Sequence, residues 1–138
     1  MKKSTEGVLD MDEETLWAEM QGYLKGDYKR RVFNYNNCTA ELYMGAMSIA
    51  LLALWPKRTI ILGQPMLDDL SKILHKYKLE LEYVEEGNYK INRADTKAYV
   101  GRLTNEGLKL SIKRLIEEIG SKDLFKEIVD FYVRAVAM

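Results

Sequence analysis

The chain has 138 residues, the usual size of one domain, and its hydrophobic content of 47% is enough for a buried core. Lysine and arginine together number 21, as do aspartate and glutamate, so no overall charge attracts the protein to nucleic acid or to an anionic membrane. Cys38 is the only cysteine, which excludes an intramolecular disulfide and favours a reducing compartment, the cytoplasm.

The longest uncharged stretch covers residues 42–56 and is too short for a membrane span, which needs about 20 residues. Basic residues near the start are followed by acidic ones and not by the apolar stretch of a signal peptide. We therefore expect a soluble protein that makes no use of a membrane, with a flexible tail at residues 1–10 and a single domain at residues 11–138.

Two helices are predicted in the N-terminal part of the chain. The first begins at Asp12, a good N-cap residue, and ends near Gly26. An extended or looped connection follows over residues 27–37. The second helix runs from about Cys38 to Trp55, where a proline ends it. Because this helix is apolar on every side, we expect it to be central or shared with another subunit.

Strand and helix patterns alternate in the middle of the chain. Residues 59–62 form a short apolar run typical of a buried strand, and residues 66–77 have the apolar spacing of a helix. Residues 79–83 and 89–92 alternate between apolar and polar side chains, as half-exposed strands do. Strand, helix and strand together suggest a small βαβ unit with a right-handed crossover. Residues 93–103 fit either a third hairpin strand or a helical turn.

The last two strands of this region are expected to form a hairpin. A three-residue loop with Gly87 in the left-handed conformation keeps apolar side chains on one face of the hairpin. This loop predicts three cross-strand pairs: Tyr83 with Tyr89, Glu82 with Lys90, and Leu81 with Ile91.

The C-terminal part is predicted to contain two more helices. One begins at Thr104 or Asn105 and ends at Gly120, and the next begins at Ser121 and extends through Val136. Together the elements predict a helix-rich α+β fold. It consists of two N-terminal helices, a small central β-α-β-β layer and two C-terminal helices.

One candidate site is a nucleophile arrangement of Cys38, His75 and Glu41. A cysteine at the start of a helix has a stabilised thiolate, and a histidine and a carboxylate can complete such an arrangement if the fold brings them together. The alternative interpretation is that Cys38 is a small buried core residue, since free cysteine is among the most buried residue types. One histidine and one cysteine cannot form the usual zinc site, so we expect neither a metal nor a cofactor.

The other candidate is a segment in which three consecutive cations are interleaved with aromatic rings. Such a segment can bind phosphates while its rings stack on bases, or it can bind an acidic protein surface. The alternative is a solvated connection with its rings anchored in the core. Its candidate binding residues are Tyr28, Lys29, Arg30, Arg31, Phe33 and Tyr35.

Three functions follow from these observations. The first is a non-enzymatic binding or assembly protein that self-associates as a homo-oligomer and takes a protein or other macromolecular or anionic partner. The second is a nucleic-acid-binding module that uses residues 28–35. The third is a small enzyme with Cys38 as its nucleophile. The sequence favours the first, because it contains an excess of apolar helical surface and no diagnostic catalytic motif.

Overall fold

The computed structural model describes residues 11–26 and 29–137, and it shows an α+β fold built on one antiparallel sheet. The seven strands of this sheet lie in the order β1-β2-β3-β7-β6-β5-β4. The helices are α1 (Glu13–Leu24), α2 (Gln64–Lys76) and α3 (Lys122–Ala137), and a π-helical turn spans Arg114–Ile119. The strands are β1 (Arg31–Tyr35), β2 (Cys38–Met44), β3 (Ala50–Pro56), β4 (Leu79–Glu85), β5 (Asn88–Arg93), β6 (Tyr99–Thr104) and β7 (Gly107–Ser111).

The three helices pack on the same face of the sheet and enclose the hydrophobic core. Alternate residues of each strand point to this apolar face, because successive side chains of a strand lie on opposite sides. In β2 these residues are Cys38, Ala40 and Leu42, all with no exposed surface. The intervening residues form the opposite side of the sheet, which we call the polar face.

The predicted fold class is wrong in its architecture, and residues 38–55 are the main reason. This segment was predicted to be a central helix, but it forms β2, a short 3-10 turn (Ala46–Ser48) and β3. In β3 the side chains of both faces are covered, since Leu51 is 9% exposed and Ala53 is completely buried. A strand buried on both faces is apolar without alternation, so its pattern resembles that of a buried helix.

Two further predicted elements are absent at their predicted positions. Residues 59–62 form no strand, and every strand pair in the sheet is antiparallel, so there is no βαβ unit among the described residues. The helix predicted to begin at Thr104 is instead the hairpin of β6 and β7, followed by the π-helical turn. The spacing of Leu108 and Ile112 fits a helix, but Leu108 and Leu110 equally fit a strand with one buried face.

Other predictions are confirmed. Asp12 caps α1, with its Oδ1 accepting a hydrogen bond of 2.8 Å from the backbone N of Thr15. Gly120 ends the π-helical turn in the left-handed conformation, and α3 follows it. The hairpin of β4 and β5 has all three predicted pairs, with Gly87 at a φ of 76°. Its turn is shorter than predicted, because Glu85 pairs with Asn88 after a bulge.

Within the described part of the chain, no helix combines the length and the apolar character needed to cross a membrane.

Candidate anion-binding site

The basic and aromatic residues predicted to bind a ligand are divided between the two faces of β1. On the apolar side, Phe33 packs against the core, Tyr35 is 1% exposed, and Arg31 forms an ion pair of 2.6 Å with Glu19 of α1. Burial is the main cause that raises the pKa of Tyr35. Tyr28 lies outside the described residues.

Two cations of the same segment remain near the polar face or the solvent. Lys29 is exposed, and the Nε of Arg30 donates a hydrogen bond of 2.5 Å to Oε2 of Glu41. The structure therefore does not gather the described part of this segment, residues 29–35, into one surface. Arg30 lies at the edge of the polar face, and the role of this segment in binding stays a prediction.

The structure does not bring Cys38, Glu41 and His75 together as a nucleophile arrangement. Cys38 begins β2 on the apolar face, and burial raises the pKa of its thiol to about 11. Glu41 is three residues further on and therefore lies on the opposite face. His75 is exposed in the last turn of α2. Within residues 11–26 and 29–137, no three acidic, histidine or cysteine side chains are grouped so that they could hold a metal ion.

The polar face contains a group of cations that the sequence analysis did not identify. Lys109 of β7 pairs with Arg102 of β6, which in turn pairs with Lys90 of β5. We call these three residues the cationic row. Residues paired in this way have Cβ atoms about 4.5–5.5 Å apart, and like charges placed directly opposite one another destabilise a sheet. All three side chains are half-buried.

Among the described residues, no carboxylate forms a direct ion pair with the cationic row, although Glu82 of β4 is the cross-strand neighbour of Lys90. The Nη1 of Arg102 donates to Oδ1 of Asn88 at 2.7 Å, and the ammonium of Lys109 lies 5.3 Å from the centre of the Trp55 ring. None of the three cations, Lys90, Arg102 and Lys109, forms an ion pair with any residue that the structure describes. Half-buried cations that face one another without a direct ion pair are unfavourable, which makes the row a candidate site for an external anion.

The two acidic residues at the ends of the row are already engaged. Glu41 accepts hydrogen bonds from Arg30 and from Nε1 of Trp55, the latter at 2.9 Å. Partial burial alone would raise the pKa of Glu41, but these hydrogen bonds, together with the charges of Arg30 and Lys109, outweigh it and lower the pKa. At the other end, Oε1 of Glu82 accepts a hydrogen bond of 2.5 Å from Asn92.

Aromatic rings accompany the cations on this face. Trp55 packs against Gly107, where an added Cβ would be only 2.8 Å from the ring. Tyr99 is half-buried, and although burial raises the pKa of its hydroxyl, a hydrogen bond from Arg102 acts in the opposite direction. Trp55, Arg102 and Lys109 line a shallow cavity of about 300 Å³. The face thus combines positive charge with flat ring surfaces.

The cationic row was missed because it depends on strand pairing. Each of its cations stands between residues that point to the apolar face, as in Leu108-Lys109-Leu110, and this alternation was the available signal. Assigning this stretch to a helix removed Lys109 from the neighbourhood of Arg102. Comparison of the chain with protein-family models, curated proteins and solved structures gives no match. The site is therefore interpreted from its own geometry.

Proposed function

We propose that this chain is a non-enzymatic binding protein whose polar face recognises an anionic polymer, with single-stranded nucleic acid as the ligand class. The observation that carries the proposal is the cationic row, Lys90, Arg102 and Lys109, on three adjacent strands. Like charges that lie directly opposite one another destabilise a sheet. A polyanion that contacts all three cations would relieve this repulsion at once.

The aromatic residues favour nucleic acid over an acidic peptide. A sheet surface with cations and aromatic rings can bind phosphates and stack bases at the same time, whereas an acidic peptide has no bases that could stack on the rings. Trp55 lines the same cavity as Arg102, and the hydroxyl of Tyr99 has a hydrogen bond with Arg102. Arg30, at the edge of this face, connects the proposal to the basic segment predicted from the sequence.

The second part of the proposal is that the chain self-associates. The sequence predicted an excess of apolar helical surface, but residues 38–55 do not form that helix and lie mostly in strands of the sheet. Several large apolar side chains are nevertheless exposed, among them Ile61 at 84% and Tyr83 at 65%. A second copy of the chain would remove such surface from water.

Fluorescence anisotropy with a labelled oligothymidylate tests the binding proposal. The triple variant Lys90→Gln, Arg102→Gln, Lys109→Gln should bind at least tenfold more weakly than the unaltered chain, because it removes the whole row. A control triple variant, Lys25→Gln, Lys72→Gln, Lys78→Gln, loses the same net charge from exposed positions at α1 and α2. It should bind within about twofold of the unaltered chain.

Three outcomes would contradict the proposal. If both triple variants lose affinity equally, binding depends on net charge and not on the row. If neither loses affinity, the polar face is not the site. If polyglutamate competes with the oligonucleotide as well as unlabelled oligothymidylate does, the rings add nothing and the ligand is an acidic protein.

A further inference from the structure

A second cavity, of about 430 Å³, lies at the end of the sheet where the loop between β2 and β3 approaches the π-helical turn, and among the described residues Tyr99 is the one polar-face ring that also lines it. Its size is within the range of small-molecule sites, about 300–1,000 Å³. We propose that it binds a small amphipathic anion, a molecule with an apolar body and one carboxylate, sulfonate or phosphate group. This site does not depend on the nucleic-acid proposal. Six of the residues that line it are Leu24, Met44, Ile49, Ser48, Ser111 and Lys113.

One wall of the cavity is apolar and open to water. Met44 and Ile49 are each 38% exposed, and Leu24, at the end of α1, is half-buried. Large apolar side chains that face a cavity in this way gain free energy when a ligand covers them. This wall therefore suits the hydrocarbon or aromatic body of a ligand.

The other wall supplies hydroxyl groups and one available cation. Arg114 is held in place, because its guanidinium pairs with Glu118 and its Nε donates to the carbonyl oxygen of Tyr99 at 3.1 Å. Lys113 is exposed and has neither an ion pair nor a hydrogen bond with any described residue. The ammonium of Lys113 is therefore the group that would meet the anionic end of the ligand, with Ser48 and Ser111 beside it.

The backbone around the cavity is unusual on both sides. Met47 and Ser48 have φ values of 60° and 59°, a conformation that residues other than glycine seldom adopt. The loop closes through a hydrogen bond of 2.7 Å from Gly45 N to Ile49 O, and Leu51 packs so closely against Gly45 that a Cβ there would be 2.6 Å away. Across the cavity, the π-helical turn widens the backbone, as such turns do at many functional sites. Both features border the cavity, through Ser48 and Arg114 respectively.

Anilinonaphthalene sulfonate is a suitable probe, since it is an aromatic ring system with one sulfonate. Fluorescence titration should show one site per chain. Lys113→Gln and Ile49→Ser should each weaken binding by about five- to tenfold, as expected for the loss of a charge contact or of a covered apolar side chain. The matched controls are Lys72→Gln and Ile61→Ser, which change an exposed lysine and an exposed isoleucine outside the cavity. These controls should remain within twofold.

A second measurement does not rely on variants. In a chain with labelled methionine methyl groups, the signal of Met44, which lines the cavity, should shift on adding the probe, while the signal of Met20, buried in the core, should not. Decanoate should displace the probe at least tenfold better than decanol, because only decanoate has the anionic group. The proposal is overturned if the controls lose as much affinity as the cavity variants, if Met44 does not shift, or if decanol competes equally.

The two proposals can be separated with the same proteins. The cavity variants should retain oligothymidylate binding, and the triple variant of the cationic row should retain probe binding. Loss of both activities in either protein would mean that the cavity and the polar face form one site, which would contradict the cavity proposal as stated.

Discussion

Glu13, in the first turn of α1, is expected to make the stability of the protein depend on pH near neutrality. Its Oε2 is buried and has no hydrogen-bond partner among the described residues. Burial is the first cause that raises its pKa to about 7, and the hydrogen bond with Asp130 of α3 and the charge of Asp130 are the next. Lys126 lowers the pKa in part, while Glu14 raises it slightly. Glu13 thus retains its proton at pH values where it would be ionised in the unfolded chain.

The sign and the size of the effect follow from this pKa. Because the pKa is higher in the folded state, the contribution of Glu13 to stability is complete below about pH 4.5, its unfolded value, and is lost as pH rises through about 7. A shift of this size corresponds to about 3 kcal/mol at most. Since the side chain is only partly buried and solvent screens it, we expect about 1–2 kcal/mol.

Urea denaturation at about pH 4 and at about pH 8 measures this effect. Glu13→Gln mimics the protonated side chain, so its free energy of unfolding should match that of the unaltered chain at about pH 4 and exceed it by about 1–2 kcal/mol at about pH 8. Glu86→Gln, in the exposed turn between β4 and β5, is the control and should show no such difference. If Glu13→Gln is less stable than the unaltered chain at pH 8, the ionised carboxylate stabilises the fold and this reasoning is wrong.

Three further predictions concern other parts of the chain. The buried thiol of Cys38, with its pKa raised to about 11, should react with iodoacetamide much more slowly at pH 8 than a free cysteine does; rapid modification of the folded chain would contradict its place in the core. Gly107→Ala should lower the free energy of unfolding by about 1–3 kcal/mol and change the fluorescence of Trp55, because the new Cβ would lie 2.8 Å from the ring and 2.9 Å from the carbonyl oxygen of Leu54. Sedimentation at micromolar concentration should show a dimer or larger assembly, and a monomer of 16.0 kDa that binds no hydrophobic dye beyond the cavity site would contradict self-association.

The elements that the sequence predicts best are those whose signals are local. The helix predicted at residues 66–77 is observed as α2, and its apolar residues are regularly spaced, with Leu67, Leu70 and Leu74 buried. The register of the β4–β5 hairpin follows from Gly87 and from the cost of turning apolar side chains towards water. Both predictions needed only residues that are close together in the chain.

The elements that the sequence does not predict depend on contacts between distant residues. Residues 50–56 are apolar throughout because β3 lies between β2 and β7 in the middle of the sheet, and no local pattern separates such a strand from a buried helix. The cationic row also depends on contacts between residues that are distant in the sequence. Lys90 and Lys109 are 19 positions apart in the sequence, and they become neighbours of Arg102 only through the pairing of β5, β6 and β7.

The salt dependence of oligothymidylate binding tests the role of the cationic row most directly. A protein that neutralises three phosphates of a single strand releases counter-ions, so the logarithm of its binding constant should fall with the logarithm of salt concentration at a slope of about −2. The unaltered chain is expected to show this slope or a steeper one, with Arg30 or other cations adding to it. The variant Lys90→Gln, Arg102→Gln, Lys109→Gln should have a slope about 2 units shallower. Equal slopes for the two proteins would mean that these three cations do not contact phosphates, and would contradict the proposed function.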